Sequence, residues 1–112
     1  MKVAVVTPTI GAATLKKCVE SVQNQTYENL THYIFVDGDE YAQNVTSQNI
    51  YHENVKRIYL EENVGKGWYG HRVYAACGYL VNADVICYLD EDNWFEPNHV
   101  EKLVEEIGRA HV

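Results

Sequence analysis

Four short apolar runs constrain the fold of this 112-residue chain more strongly than any other feature. They are rich in β-branched and aromatic residues, and they occupy residues 3–6, 33–36, 58–60 and 85–89. Continuous apolar runs of this length are typical of parallel strands that are buried on both faces. The sequence therefore predicts a central, mostly parallel sheet of about four strands.

Helical patterns lie between and after these runs. Apolar residues recur at the helical period in two segments, at Leu15, Val19 and Val22 and at Tyr69, Val73, Ala76 and Leu80. A last helix is predicted to open at Pro97, which suits a first helical position, and to stop at Gly108. Its apolar stripe consists of Val100, Leu103, Val104 and Ile107. Residues 40–54 are polar and give only an irregular helical signal.

The alternation of strand and helix predicts the fold class. Such a chain forms an α/β domain, in which right-handed crossovers cover both faces of a parallel sheet with helices. The length fits a single domain over residues 1–112. Ligands of open parallel sheets bind beyond the carboxyl ends of the strands. A site is therefore predicted in the loops after residues 6, 36, 60 and 89.

The net charge of −7 argues against two classes of partner. So acidic a chain is repelled by the phosphates of nucleic acid and by anionic membranes, and a phosphate-bearing ligand would need a local cation. The sequence shows no signal peptide and no apolar run near the ~18 residues of a membrane span. Cys18, Cys77 and Cys87 form no Cys-x-x-Cys pair and lie in apolar stretches. A soluble cytoplasmic protein is expected, with these cysteines in its core.

Asp90, Glu91 and Asp92 follow the fourth apolar run and give the sharpest chemical signal. Two carboxylates two residues apart in an extended segment point the same way and can share a hard cation. Their oxygen atoms favour Mg²⁺ or Mn²⁺. The alternative is a solvated acidic turn ahead of the last helix. The position at the end of a buried strand favours the metal site.

Two further groups of residues point to a nucleotide. Asp37 ends the second run, where a carboxylate can accept the imide N–H of a uracil ring, and the alternative is a plain Asp-Gly turn. Lys66, His71 and Arg72 crowd the predicted start of the third helix, where the helix dipole disfavours cations. A bound anion would explain them, and the planar guanidinium of Arg72 suits phosphate. The alternative for these three is a solvated basic turn.

Together these patterns resemble the family 2 glycosyltransferases with the GT-A fold. Residues 3–9, 18–27, 33–37 and 63–93, followed by Pro97, carry the resemblance, which covers essentially the whole chain. It implies a Rossmann-like GT-A domain that binds a nucleotide-diphosphate sugar, with a UDP-sugar favoured. It also implies a glycan, lipid or protein acceptor, which the sequence does not identify.

The resemblance implies roles for residues around the nucleoside and the diphosphate. Pro8 and Thr9 would line the nucleoside pocket, and Asp37 would bind the base. Lys66 and Arg72 would face the base or the diphosphate.

The resemblance also implies roles within the acidic cluster. Asp90 and Glu91 would approach the ribose, and Asp92 would ligate the metal, Mn²⁺ or Mg²⁺. The cation would stabilise the departing diphosphate as a Lewis acid.

The sequence departs from the family pattern in several places. Ile10 and Gly11 stand where the family usually has an aromatic residue and asparagine, and Gly38 replaces a second aspartate. The chain ends at Val112, where the family continues into an acceptor-binding half that supplies the general base. We therefore expect donor binding without efficient transfer, assign no catalytic base, and expect self-association through exposed apolar surface.

Other functions fit parts of the pattern. A non-catalytic nucleotide-sugar-binding module would carry the same residues as an enzyme. A magnesium-binding receiver-type signalling domain also gathers acids at strand ends, but after its first and third strands, whereas this cluster follows the fourth. A dehydrogenase is disfavoured, because the loop after the first strand contains Gly11 alone rather than spaced glycines.

Overall fold

A computed structural model of the chain describes residues 1–65 and 71–110. Within these residues the strands are β1 (Val3–Thr9), β2 (Leu30–Asp37), β3 (Val55–Leu60) and β4 (Val85–Tyr88). The α-helices of the same residues are α1 (Leu15–Gln23), α2 (Ala42–Thr46), α3 (His71–Leu80) and α4 (His99–Ala110), and a 3-10 helix spans Asp39–Tyr41. The strands form one parallel sheet in the order β3-β2-β1-β4, which confirms the predicted α/β class. None of the described helices is long and apolar enough to cross a membrane.

β1 extends beyond its apolar run. It pairs with β2 over its full length but with β4 only as far as Val6. The carbonyl of Val6 faces β4 and accepts a hydrogen bond from Leu89 N at 3.0 Å. Because alternate residues of a strand face the same neighbour, Pro8 faces the β4 side as Val6 does. Proline has no N–H to donate, and at this position pairing with β4 has already ended, so no hydrogen bond of the sheet is lost. The predicted loop after residue 6 therefore begins only after Thr9.

Helices cover both faces of the sheet, as predicted. On one face, α1 and α4 pack on a cluster of Val3, Val5, Cys18, Val22, Leu30, Leu89 and Val100. A second cluster on that face joins α1 to α2 and includes Val45 and Ile50, from the segment whose helical signal is irregular. On the opposite face, Val73 and Cys77 of α3, with Val81 just after it, pack on Ala4, Val6 and Phe35 of the sheet. All seven residues of β1 are buried, as expected of a central strand.

The buried face of α3 differs from the predicted one. Val73 and Cys77 are buried, and Val81 continues their row just after the helix. The prediction was wrong at Ala76 and Leu80, which are exposed. Steps of four residues keep positions 73, 77 and 81 on the side that meets the sheet, and the predicted stripe follows a neighbouring row.

α4 differs from the prediction at both ends. It begins at His99 rather than Pro97, because Pro97 lies in a turn in which His99 N donates to Glu96 O at 3.1 Å. The helix continues through Gly108 to Ala110, so the glycine does not end it. The positive-φ glycines of the described chain are at other positions, and Gly108 therefore lacks the left-handed conformation typical of a helix end.

A buried polar pair lies beneath the carboxyl edge of the sheet. Thr7 Oγ1 and His32 Nε2 are 2.7 Å apart, and both side chains are fully buried. Burial lowers the pKa of His32 to about 3, so the imidazole is neutral at neutral pH. Cys18 and Cys77 are buried free thiols, as predicted, whereas Cys87 is only half-buried. Burial raises the pKa of Cys18 to about 12.

Candidate functional site

The sheet topology places a crevice between β1 and β4. From β1 the chain moves to β2 and β3 on one side and then returns to β4 on the other side of β1. Ligands of open parallel sheets bind where the strand order reverses in this way, beyond the carboxyl ends of the strands. Because β4 pairs with β1 only through Val6, the end of β1 stands apart from β4. The loop after β1 and the acidic loop after β4 flank this crevice.

Thr9 and Gly11 hold the loop after β1 in one conformation. Thr9 Oγ1 donates to Glu91 Oε1 at 2.8 Å and accepts from Gly11 N at 2.8 Å. Gly11 has a φ of +76°, and a Cβ at this position would lie 2.4 Å from Asn44 Cβ. A side chain does not fit there, which explains the glycine at this position. Pro8 and Thr9 are both buried, so they present little side-chain surface to a ligand.

Glu91 connects the acidic loop to the loop after β1. Its Oε1 accepts a second hydrogen bond, from Ala12 N at 2.8 Å, and its Oε2 accepts one from Ile10 N at 3.1 Å. Together with the bond from Thr9, this carboxylate receives three hydrogen bonds from one loop. The ribose contact of Glu91 stays a prediction.

Asp90 and Asp92 have different surroundings. The hydroxyl of Tyr74, in α3, donates to Asp90 Oδ1 at 2.5 Å. Asn93 N donates to Asp90 O at 3.0 Å, so the segment forms a turn rather than the extended conformation that was predicted. Asp92 is exposed, and its carboxylate has no hydrogen-bond partner within the part of the chain that the structure describes.

These positions bear on the predicted metal site. Among residues 1–65 and 71–110, no three His, Cys, Asp or Glu side chains lie together as a group that could hold a metal. The acidic cluster is dispersed because Glu91 points to the loop after β1 and Asp90 to Tyr74. The exposed oxygen atoms of Asp92 fit a hard cation that takes its other ligands from substrate phosphates and water, as Mg²⁺ commonly does.

Asp37 holds the loop after β3 against the end of β2. Its side chain is nearly buried, its Oδ1 accepts from Val64 N at 2.7 Å, and its Oδ2 accepts from Gly65 N at 2.9 Å. Its carbonyl accepts from Asn63 Nδ2 at 2.8 Å. Asp37 is therefore more than a plain Asp-Gly turn, and its contact with a base stays a prediction. The following Gly38 has a φ of +125°, which an aspartate would rarely adopt.

Arg72 belongs to the same edge of the sheet. Tyr74 lies in the first turn of α3 and reaches Asp90, so this end of α3 adjoins the acidic loop. Arg72 is exposed in the same turn. Lys66 lies outside the described residues, as does Tyr69.

An open cleft of about 480 Å³ adjoins the acidic loop and is lined by Tyr74, Tyr88, Leu89, Asp90, Asn93, Trp94 and Phe95. The rings of Tyr74 and Tyr88 meet edge to face, with centroids 4.9 Å apart. Burial and the bond to Asp90 raise the pKa of Tyr74, so its hydroxyl stays protonated and donates. Trp94 is exposed, and Lys17 Nζ lies 3.6 Å from the centroid of its ring.

Tyr74 and Gln48 contribute to this edge without having been predicted. Gln48 Nε2 donates to Ala12 O at 2.8 Å, and its Oε1 accepts from Lys16 N at 3.0 Å. Tyr74 bonds to Asp90, which is 16 residues away, and Gln48 to Ala12, which is 36 away. Neither spacing follows a helical or strand period, so the sequence carries no local signal for these contacts.

Comparison with known proteins settles the family. Residues 4–112 match the family described as Glycosyl transferase family 2. The chain belongs to the family 2 glycosyltransferases. The resemblance seen in the sequence is thereby confirmed, and this membership supports a transferase rather than a receiver domain or a dehydrogenase.

Two curated relatives agree with this assignment. The putative glycosyltransferase EpsH of Bacillus subtilis is 28% identical over 96 residues, which cover 84% of this chain and 26% of that protein. The glycosyltransferase GlyA of Streptococcus pneumoniae is 27% identical over 111 residues, which cover 95% of this chain and 15% of that protein. The chain therefore spans about a quarter, or less, of the length of these relatives.

Solved structures share the fold. S. aureus TarS 1–349 has a TM-score of 0.78 at 18% identity, and the match covers 99% of this chain and 33% of that chain. TarS 1–349 in complex with UDP-GlcNAc has a TM-score of 0.76 at 21% identity, with coverage of 99% and 32%. The likeness confirms the predicted GT-A-type fold.

Proposed function

We propose that this family 2 domain binds a nucleotide-diphosphate sugar, preferably a UDP-sugar, as the donor for transfer to an acceptor. The observation that carries the proposal is that the loop after β1 is hydrogen-bonded to the acidic loop after β4, at the point where the strand order reverses. Two TarS structures of the same fold, described as complexes with UDP-GlcNAc and with UDP, support the choice of nucleotide.

The nucleoside lies, in this proposal, between the ends of β1 and β2. Pro8 and Thr9, whose side chains are buried, would line its pocket mainly with backbone atoms, and Asp37 accepts the imide N–H of uracil. A carboxylate offers about four lone-pair sites. Asp37 uses one for Val64 and one for Gly65, so each of its oxygens keeps an acceptor site for the base.

The diphosphate is proposed to reach the domain through a divalent cation. Asp92 would hold Mn²⁺ or Mg²⁺ together with the phosphates, and Asp90, with one oxygen fixed by Tyr74, would approach the ribose. Such a cation stabilises a departing diphosphate as a Lewis acid. Because the net charge is −7, phosphates approach this edge only when positive charge compensates it. Arg72 and Lys66 are proposed to contribute part of that charge.

Calorimetric titration in the presence of Mn²⁺ tests this proposal with uridine diphosphate and uridine monophosphate. The diphosphate should bind at least about tenfold more tightly, since a second phosphate adds a ligand to the cation. Guanosine diphosphate should bind more weakly than uridine diphosphate. Equal affinities for the uridine monophosphate and diphosphate would contradict the proposed cation-diphosphate contact.

We further propose that these 112 residues bind the donor without transferring sugar efficiently. Transfer with inversion needs a positioned general base, which contributes ~10²–10⁴-fold to the rate. At this edge of the described chain, Glu91 and Asp37 are bonded to backbone, Asp90 is bonded to Tyr74, and Asp92 is assigned to the cation. The domain would then act as a donor-binding module.

An assay with labelled nucleotide sugars and a broad acceptor panel tests this second proposal. We expect slow, metal-dependent hydrolysis of the donor at most. Robust transfer by the 112-residue chain that is abolished in Asp92→Ala would contradict it.

A further inference from the structure

We propose that Glu91 is a positioning residue, which fixes the nucleoside loop relative to the metal-binding loop instead of contacting the ribose. The nucleoside loop is defined here as residues 9–12, and the metal-binding loop as residues 90–93. This inference rests on the proposed function, because it assigns to these two loops the two ends of one ligand.

The contacts of the carboxylate carry the inference. Glu91 receives one hydrogen bond from the Thr9 hydroxyl and two from the backbone N–H groups of Ile10 and Ala12, at 2.8, 3.1 and 2.8 Å. Of the about four lone-pair sites of a carboxylate, three are thus used within the chain. The contacts engage both oxygens, so the carboxylate cannot turn towards a ribose without breaking at least one of them.

The nucleoside loop has an independent anchor on its other side. Gln48 Nε2 donates to Ala12 O at 2.8 Å and to Gly11 O at 3.3 Å. The loop is therefore held at its carbonyls by Gln48 and at its donors by Glu91. Loss of Glu91 would leave two backbone N–H groups and the Thr9 hydroxyl without their acceptor, while the anchor at Gln48 remains.

The position of Glu91 couples the two loops. It directly precedes Asp92, which is exposed at the proposed cation site, and its side chain ends on the backbone of the nucleoside loop. The side chain of Glu91 therefore links the nucleoside pocket directly to the diphosphate site. Loss of Glu91 should lower the affinity for a ligand that occupies both loops, but not the affinity for a ligand that occupies only the metal-binding loop.

Glu91→Ala and the conservative Glu91→Gln test this role, with Glu96→Gln as the control. Glu96 is exposed, and its substitution removes the same charge five residues along the chain. The first readout is amide hydrogen exchange at Ile10 and Ala12, with thermal unfolding as a check of the fold. The second is the affinity, in Mn²⁺, for uridine diphosphate and for inorganic pyrophosphate.

In Glu91→Ala we expect exchange at Ile10 and Ala12 to accelerate about tenfold and the affinity for uridine diphosphate to fall about tenfold. The affinity for pyrophosphate should not fall. Glu91→Gln should lose less affinity for uridine diphosphate than Glu91→Ala, because its single carbonyl oxygen can still accept from Thr9 and Ala12. Glu96→Gln should resemble the wild type in all three measurements.

Unchanged exchange rates at both amides would overturn the proposal, as would equal losses of uridine diphosphate and pyrophosphate affinity. Failure of the wild-type chain to bind uridine diphosphate would instead overturn the proposed function. The exchange rates at Ile10 and Ala12 would still decide whether Glu91 holds the loop.

Discussion

The hydroxyl of Tyr74 lies 2.5 Å from Oδ1 of Asp90 and donates a hydrogen bond to it. This bond ties the first turn of α3 to the acidic loop after β4, whereas Glu91 ties that loop to the loop after β1. One oxygen of Asp90 is thereby fixed, and the other stays available at the edge of the sheet. The acidic loop is thus held from both sides by two different side-chain contacts.

Tyr74→Phe should weaken metal-dependent binding of uridine diphosphate and lower the free energy of unfolding by about 0.5–1.5 kcal/mol. The substitution removes the bond to Asp90 but keeps the edge-to-face contact with Tyr88. Urea denaturation and calorimetric titration measure the two effects. Tyr79→Phe is the matched control, because Tyr79 is 94% exposed. Equal behaviour of the two variants would show that the contact does not orient Asp90.

Gly11→Ala should destabilise the folded state by about 1–3 kcal/mol, because an alanine there combines a positive φ with a steric clash. Its Cβ would lie 2.4 Å from Asn44 Cβ and 3.2 Å from the Asn44 carbonyl carbon. Gly108→Ala provides the contrast, since this glycine lies within α4 and nothing stands within 4 Å of its Cβ position. That variant should gain about 0.5–1 kcal/mol. Thermal unfolding measures both effects. A Gly11→Ala protein that is more stable than Gly108→Ala would contradict this explanation.

The contrast between fold and site shows what could be predicted from the sequence. Strands are recognisable because runs such as residues 33–36 are locally apolar, and the parallel sheet follows from their alternation with helices. The end of β1 was missed because Thr7, Pro8 and Thr9 interrupt the apolar run, and the effect of Pro8 depends on where β4 stops. Because the strands are parallel, their carboxyl ends lie at one edge of the sheet. Asp37 and the acidic cluster were for that reason correctly predicted to lie at that edge.

The contacts of those same residues could not be predicted. Glu91 bonds to Thr9 across 82 residues, and Asp37 bonds to Val64 across 27. Such pairs depend on the register of the finished sheet and leave no periodic signal in the sequence. The sequence thus indicated which carboxylates lie at the carboxyl edge of the sheet, but not that Glu91 and Asp37 are bonded to neighbouring loops.

The buried His32 should make stability depend on pH. Its pKa is about 3 in the folded chain against an ordinary value of 6.5. Between these values the unfolded chain binds a proton that the folded chain does not. Stability should therefore fall as the pH is lowered from 6.5 towards 3, by up to about 1.4 kcal/mol per pH unit.

The variant His32→Gln isolates this contribution, because glutamine does not titrate. Its free energy of unfolding, measured by urea denaturation across the same pH range, should decline less steeply than that of the wild type. His52→Gln, which changes an exposed histidine, should retain the wild-type slope. Identical slopes for wild type and His32→Gln would contradict the neutral buried state.

Asp37→Asn should lower both the stability of the fold and the affinity for uridine nucleotides. An amide cannot accept at both positions, so either Val64 N or Gly65 N loses its acceptor, at a cost of about 1–3 kcal/mol in the free energy of unfolding. Uridine nucleotides should bind more weakly by about 1.5–3 kcal/mol, while metal binding is retained. If the preference for uridine over guanosine diphosphate is unchanged in calorimetric titrations, Asp37 does not contact the base.

The proposed function depends above all on one contact, in which a divalent cation on Asp92 joins the diphosphate to this acidic edge. Titration of the folded chain with uridine diphosphate, in Mn²⁺ and again after chelation, measures it most directly, with Asp92→Ala and Asp39→Ala as variants. Asp39 is likewise exposed at the carboxyl edge, but after β2. We expect binding in Mn²⁺ that is lost on chelation, lost in Asp92→Ala and retained in Asp39→Ala. Equal affinity after chelation, or no binding by folded wild-type protein in Mn²⁺, would contradict the claim.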